Sequence, residues 1–430
     1  MVKRILSLDG GGVKGIIVLH LLSKIEEQFN INIHEYFDLF AGTSTGALIA
    51  TLFAYKKLSA KQILTTIYTI DNLRTIMFQT YYDKWIGSFQ YKSKYSDKGK
   101  IEIIQKYLFD DSTNITQLKT NITKKLDASS EQNPNLIIKP NISIDQLKTE
   151  IICELKEKLK EELKNEIKEE VRKEISKSLC EISDSITTDV KQNTELLNQT
   201  ILFDDTTQSI DNIVNKMIDD KIDPNIKKDK CTLFCVEKHI LITAYDPCLK
   251  MPVFFRNYFG NSNFLLLDVL NATSAAPSYF PIAKVTNLND NSVQHFIDGG
   301  VCNNNPSNIA YIDIKRLYPT ESIEILSIGT GISKSTFNPL KDVNLSGLEW
   351  LIQESIIDVI LDGNQLMSHI CTDELATENK DKYLRINKYL TYASGKMDDT
   401  TDLNYNNLIK EGELWWEKSK DKLISFFAIV

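Results

Sequence analysis

The segment Gly42-Thr43-Ser44-Thr45-Gly46 lies between a strand-like run, Tyr36-Phe37-Asp38-Leu39-Phe40-Ala41, and a helix-forming one, Ala47-Leu48-Ile49-Ala50. A serine at such a junction, with a glycine two residues away on each side, has the pattern of a nucleophile elbow. The turn is tight, and only glycines let the incoming strand and outgoing helix cross so closely. It therefore demands a strand ending where a helix begins, which is the building unit of an α/β sheet. It also puts Ser44 near a helix N-terminus, where an alkoxide and an adjoining oxyanion are electrostatically favoured. A Gly/Thr-rich turn without chemistry is the competing reading, and the strand–helix context weighs against it.

The rest of the chain supplies that architecture. Ile5–Leu8 reads as a strand, Val13–Phe29 as a helix, Tyr36–Ala41 as a strand and Ala47–Tyr55 as a helix. Strand-like runs return at His239–Ala244, Phe264–Val269, Val293–Ile297 and Ile323–Ile328. Helical patterns follow over Leu348–Asp362 and Leu403–Phe427. Such alternation predicts βαβ units and a mostly parallel central sheet. With 430 residues, 42% of them hydrophobic and 25% charged, the chain can build one large core and has material to spare.

The spare material is the stretch 120–235, rich in Lys, Glu, Asn, Asp and Ile. Within it Leu147, Ile151, Leu155, Leu159, Leu163, Ile167, Val171, Ile175 and Leu179 recur every fourth residue. Pairs such as Glu154/Lys158 and Glu169/Lys173 stand at i,i+4 in the favourable orientation, so a helix is predicted over about 144–182. A spacing of four lags the helix by about 40° per step, so the apolar line winds around the surface instead of holding one face. The expectation is a solvated, charge-laced helix with flexible flanks. A coiled coil, self-association, a protein partner or membrane contact by this helix are the alternatives.

Two further segments carry chemistry. Asp9-Gly10-Gly11-Gly12-Val13-Lys14-Gly15 follows the first strand, and three glycines at a helix start expose backbone N–H groups that cradle a phosphate or an oxyanion. Gly10-x-Gly12-x-x-Gly15 is also a dinucleotide fingerprint. That reading wants a strand ending in an acid about 20 residues later, and Phe29–Tyr36 is poorly strand-like. Phe296-Ile297-Asp298-Gly299-Gly300 ends a strand, where a carboxylate points out of the sheet end toward the place ligands collect in open α/β sheets. For a lone Asp-Gly-Gly, an Asx-type turn capping the strand is the favoured reading.

Together, in this order, the glycine loop, the G-x-S-x-G and the Asp-Gly-Gly resemble the patatin-like phospholipase family. The resemblance continues through Ile242-Thr243-Ala244-Tyr245-Asp246, Pro252-Val253-Phe254-Phe255, Ala272–Phe280, Leu326–Gly331, Tyr383-Leu384-Arg385-Ile386 and Met397-Asp398-Asp399. The last of these look most like the plant patatin branch. It covers residues 1–119 and 236–430 and leaves 120–235 as a helical insertion to which nothing of the family carries over. Lys14 stands where the family often has Arg, which keeps the charge but not bidentate bonding.

The resemblance implies a three-layer α/β fold and a serine lipid acyl hydrolase of phospholipase A type. It makes Ser44 the nucleophile, Asp298 its base, and the amides of Gly10, Gly11 and Gly12 the oxyanion hole. Asp9, Lys14, Gly15, Gly42, Gly46, Gly299 and Gly300 support the motifs. A histidine triad would use Ser44, Asp298 and His369, but His369 falls in a helical pattern and His295, three residues before Asp298, points to the opposite face of its strand. No metal cluster or EF-hand loop is visible, so catalysis without metal or cofactor is expected. The net charge of −8 argues against nucleic acid and against simple electrostatic capture by anionic membranes, and a lipid or membrane-surface substrate is what the resemblance implies. With no apolar leader and no unbroken apolar span, a cytoplasmic protein with peripheral membrane contact is expected, and the Ile/Lys/Asn-rich composition allows a host cytoplasm. The rival function is a catalytically silent lipid-binding or scaffolding protein acting through the insertion.

Overall fold

Ile5-Leu6-Ser7-Leu8 offers apolar side chains to both faces, which suits a strand buried between two layers. In the computed structural model, which describes residues 2–78, 93–109, 231–259, 263–333 and 356–428, this strand, β1 (Val2–Leu8), lies inside the sheet between β2 (Leu39–Gly42) and β7 (Ser322–Ile328). The remaining strands are β3 (His239–Asp246), β4 (Met251–Arg256), β5 (Ala283–Thr286), β6 (Val293–Asp298) and β8 (Lys382–Ile386). Their order is β5-β6-β3-β2-β1-β7-β8, with β4 also paired to β3. The run β3-β2-β1-β7-β8 is parallel, whereas β4, β5 and β6 join antiparallel at one side.

The register separates the two faces. Ile5, Leu39, Ala41, Leu241, Ile323 and Ile325 pack with Ala310, Tyr311 and Ile314 of helix Ser307–Leu317. Leu6, Leu8, Phe40, Ile240, Ile242, Leu326 and Ile328 face helices Gly15–Phe29, Thr45–Ala54 and Asp402–Phe427, the last contributing Trp415 and Trp416. Helices on both faces of a mostly parallel sheet make the three-layer α/β arrangement that the alternating pattern predicts. The described residues fall in one unit assembled from both sides of the 110–230 stretch.

Three local readings change. Phe264–Val269 is not a strand: Leu266–Thr273 is a helix, with Leu266, Val269, Leu270 and Thr273 buried on one face at helical spacing. A short apolar run carries no period long enough to tell the two apart. The strand expected from Tyr36 starts only at Leu39, because Asn32 caps a helical turn, Ile33–Tyr36, by accepting from the His34 and Glu35 amides. Residues 231–235, assigned to the insertion, pack with the core: Leu233 is fully buried, Thr232 bridges to Leu265, and the Leu266 amide donates to the Cys231 carbonyl. The C-terminal helix matches its expected span within one residue. The helix Ile356–Glu378 continues well past the expected Asp362. The helix expected over 144–182, the rest of 120–230 and residues 348–355 lie outside the described residues.

Candidate active site

β2 ends at Gly42 and helix Thr45–Ala54 begins three residues later, so the chain must reverse at Ser44. Ser44 does so with φ 54° and ψ −121°, a conformation costing a non-glycine residue about 1–3 kcal/mol. Neighbours hold it there. Its amide donates to Thr273 Oγ1 at 2.9 Å, and the Gly46 amide closes the turn on the Thr43 carbonyl at 2.8 Å. Buried Thr43 Oγ1 in turn donates to the Asn303 carbonyl at 2.8 Å. A Cβ on Gly46 would stand 2.3 Å from the Leu8 carbonyl oxygen, and one on Gly42 2.4 Å from Ala47 Cα. The two motif glycines are therefore required by close approach.

The glycine loop leaves β1 beside the elbow. Asp9 is fully buried and bound by Arg385 from β8, with Nη1–Oδ1 2.7 Å and Nη2–Oδ2 2.5 Å. Arg385 also donates to Ser327 Oγ at 2.8 Å. Pairing supplies the reason for an acid at this position, since a buried carboxylate needs a partner. The Gly10 carbonyl accepts from Thr330 Oγ1 at 2.6 Å, and the Gly10 amide donates to the Asn304 carbonyl at 3.3 Å. Gly10 is buried, whereas Gly11 and Gly12 are partly exposed, and among the described residues neither of their amides has a partner. Gly12 has φ +59°, and a Cβ there would meet the Met397 carbonyl oxygen at 2.2 Å. Lys14 closes the short turn Gly12–Lys14, and Gly15 opens the following helix against Thr45.

Asp298 is the last residue of β6, opposite Ala244 near the C-terminal end of β3. Its amide donates to the Ala275 carbonyl at 3.0 Å, and its Oδ1 accepts from the Gly300 amide at 2.7 Å. The Ser44 hydroxyl lies close enough to the same carboxyl group to favour its ionised form. Burial pushes Asp298 up from 3.8 to about 6, a rise that the Gly300 amide, the Ser44 hydroxyl and the nearby Lys100 ammonium hold in check. Gly299 packs on Thr243, where a Cβ would come within 2.1 Å of Oγ1.

One pocket contains Gly10, Gly11, Gly12, Lys14, Ser44, Asp298 and Gly300 in its lining. Its wall is largely apolar, including Leu48, Ile67, Leu73, Ile103, Leu270 and Val301. Among the described residues no histidine lines it. His369 lies in the helix Ile356–Glu378 with its Nδ1 3.1 Å from the Tyr383 hydroxyl, and His295 sits within β6 opposite Lys284. Among the described residues no group of three His, Cys, Asp or Glu is arranged to hold a metal ion, and no helix is long and apolar enough to cross a membrane.

The description "Patatin-like phospholipase" matches residues 6–311. The chain belongs to the patatin-like phospholipase family. Patatin-like protein 2 of Oryza sativa subsp. indica is 29% identical over 215 residues, covering 43% of this chain and 53% of the relative. Patatin-like protein 1 of Arabidopsis thaliana is 24% identical over 439 residues, covering 95% and 80%. The 85/88 kDa calcium-independent phospholipase A2 of Rattus norvegicus is 31% identical over 115 residues, 27% of this chain and 12% of the relative. The alignment to the rice protein thus spans about half of that protein's length.

Beyond the motif residues, this patatin-like site uses Thr273, Asn304, Thr330, Arg385 and Lys100. The first four fall inside or beside segments that carry the family resemblance, but no local pattern announces their contacts. Lys100 lies in none of them.

Proposed function

We propose that the chain is a lipid acyl hydrolase that cleaves glycerolipid or phospholipid acyl esters with Ser44 as nucleophile and Asp298 as base. The observation that carries this reading is that Ser44 lines the same pocket as the buried Asp298 carboxyl and is close enough to perturb it, while burial raises that carboxyl's proton affinity to about 6. An ordinary aspartate is too weak a base for a serine hydroxyl, and burial moves Asp298 toward the useful range.

As the Ser44 oxygen attacks the acyl carbon, Asp298 takes the hydroxyl proton and the carbonyl oxygen becomes an oxyanion. The Gly11 and Gly12 amides are the donors for it; Gly10, expected as a third donor, has its amide on the Asn304 carbonyl and its carbonyl on Thr330, so its part is to fix the loop. Asp298 then returns the proton to the departing alcohol oxygen, leaving an acyl-serine. Water, deprotonated by Asp298, releases the fatty acid and restores the hydroxyl. The apolar wall suits an acyl chain, and the relative named as a calcium-independent phospholipase A2 is consistent with chemistry that needs no calcium.

The test is a fluorophosphonate probe with an assay on a soluble ester and on phospholipid vesicles. Labelling at Ser44, lost in Ser44→Ala, with turnover lost in Ser44→Ala and Asp298→Asn, supports the dyad. A folded protein that neither labels nor turns over would restore the silent lipid-binding reading. Activity that survives Asp298→Asn but not His369→Ala would replace the dyad with a triad.

A further inference from the structure

Lys100 is 4% exposed, lies at the start of helix Lys98–Phe109 and lines the same pocket as Ser44 and Asp298. An ammonium is costly to bury unless its protons are accepted and its charge is met. Its Nζ donates to the carbonyls of Ser274 at 3.0 Å and Asn271 at 3.3 Å, and lies 4.3 Å from the centre of the Phe280 ring. The two carbonyls belong to the C-terminal end of helix Leu266–Thr273, the end that attracts a cation. The charged groups facing Lys100 are Asp298 from β6 and Asp97 from just before its own helix. The Cys302 thiol beside Asp298 is pushed up to about 11 by burial and brings no charge at neutral pH.

The segment that Lys100 grips also holds both halves of the site. Thr273 Oγ1 accepts the Ser44 amide at 2.9 Å, the Ala275 carbonyl accepts the Asp298 amide at 3.0 Å, and the Thr273 carbonyl accepts the Gly299 amide at 3.4 Å. A shift of this segment would move Ser44 and Asp298 relative to each other.

We propose that Lys100 is a positioning residue for the dyad, pinning residues 271–275 so that Ser44 and Asp298 keep their relative placement and setting a positive charge near that carboxylate. This rests on the reading of Ser44 and Asp298 as nucleophile and base. Lys100 and Asp298 titrate as a coupled pair: burial lowers the ammonium to about 7 while it raises the carboxyl to about 6. Removing the cation makes Asp298 harder to ionise, so the acid limb of activity moves to higher pH.

The experiment compares full-length wild type with Lys100→Met and Lys100→Arg, measuring kcat and KM against pH on a soluble ester, together with Tm. Lys100→Met is expected to lower kcat by about tenfold or more, change KM by less than about threefold, and move the acid limb up by about one pH unit. Lys100→Arg keeps the charge but not the ammonium's fit to the two carbonyls, so it should restore the limb while kcat stays reduced. A Lys100→Met enzyme with wild-type kcat and limb overturns the proposal whatever its Tm. A rise in KM alone also overturns it and makes Lys100 a substrate-binding cation. If Lys100→Met does not fold, Lys100→Arg decides: a displaced limb, or wild-type kcat, overturns the proposal. Ser44→Ala and Asp298→Asn run alongside. If either retains turnover, the dyad reading itself fails. If both are dead and Lys100→Met matches wild type, only the role of Lys100 fails.

Discussion

Replacing Asp298 with Asn should abolish turnover and yet stabilise the fold at neutral pH. Asp298 is 7% exposed, and burial raises its proton affinity from 3.8 to about 6. The native state therefore binds this proton more tightly than the unfolded chain does. Stability from this group is fully present below the unfolded value and is lost as pH rises toward about 6. At about 1.4 kcal/mol per unit, holding the carboxylate ionised at neutral pH costs the fold about 3 kcal/mol. Asparagine has nearly the same shape, can still accept from the Gly300 amide and carries no charge. Some of the gain is offset because its amide donors need partners that a carboxylate does not, so a net gain of about 1–3 kcal/mol is expected near pH 7.5. For a chain of this size that is a rise in Tm of a few degrees. Scanning calorimetry and urea midpoints at about pH 4 and about pH 7.5 provide the assay. The gap between variant and wild type should open on going from the acid to the neutral condition. A gap that does not depend on pH, or an Asp298→Asn protein less stable than wild type near pH 7.5, would refute the reasoning from buried charge.

The same logic of close contact and paired charge gives three more expectations. Gly12→Val combines φ +59° with a Cβ 2.2 Å from the Met397 carbonyl oxygen, so acyl-enzyme formation should slow by about a hundredfold or more, read as the rate of fluorophosphonate labelling. Labelling within about threefold of wild type would remove Gly12 from the oxyanion hole. Arg385→Met leaves Asp9 buried without its bidentate partner and should cost about 3–5 kcal/mol in urea denaturation, an estimate that fails if the midpoint does not move. Replacing residues 120–230 with a Gly/Ser linker, while keeping Leu233 and its neighbours, should preserve turnover of a soluble ester within about threefold, and a folded but inactive deletion protein would show that the stretch shapes the site.

The fold was legible where a periodic pattern ran long enough or ended in a recognisable turn. The alternation from Ile5 to Tyr55 and the helix over Leu403–Phe427 carried the three-layer arrangement, because apolar period and turn chemistry agreed there. Leu266–Thr273 was misread because four to six apolar residues fit a strand and a buried helix equally. β4, β5 and β8 escaped because each is short and β5 and β8 are half polar, and their places come from pairing with β3, β6 and β7. Leu233 was assigned to the insertion because the run just before it, Lys227-Lys228-Asp229-Lys230, is charged, and composition averaged over a window hides a single fully buried side chain.

At the site, local sequence and long-range contact carried different kinds of information. Glycine spacing announced the backbone geometry, since the Gly42/Gly46 pair has one purpose that a reader can infer from sterics alone. The Ser44, Asp298 and glycine-loop segments were therefore legible as a set. What tunes them was not. The Asp9–Arg385 pair joins residues 376 apart, Ser44 meets Thr273 across 229, and Lys100 reaches Asn271 across 171. A lysine in a helix reads as a solvated surface charge, and nothing adjacent to Lys100 signals that its ammonium is buried on two carbonyls in the field of a carboxylate. The turn that strains Ser44 is written in five consecutive residues. The electrostatic field that would let Asp298 work as a base near neutral pH is written in contacts that only the folded chain brings together, and substitutions at those distant positions should alter the pH response of the site while leaving every motif intact.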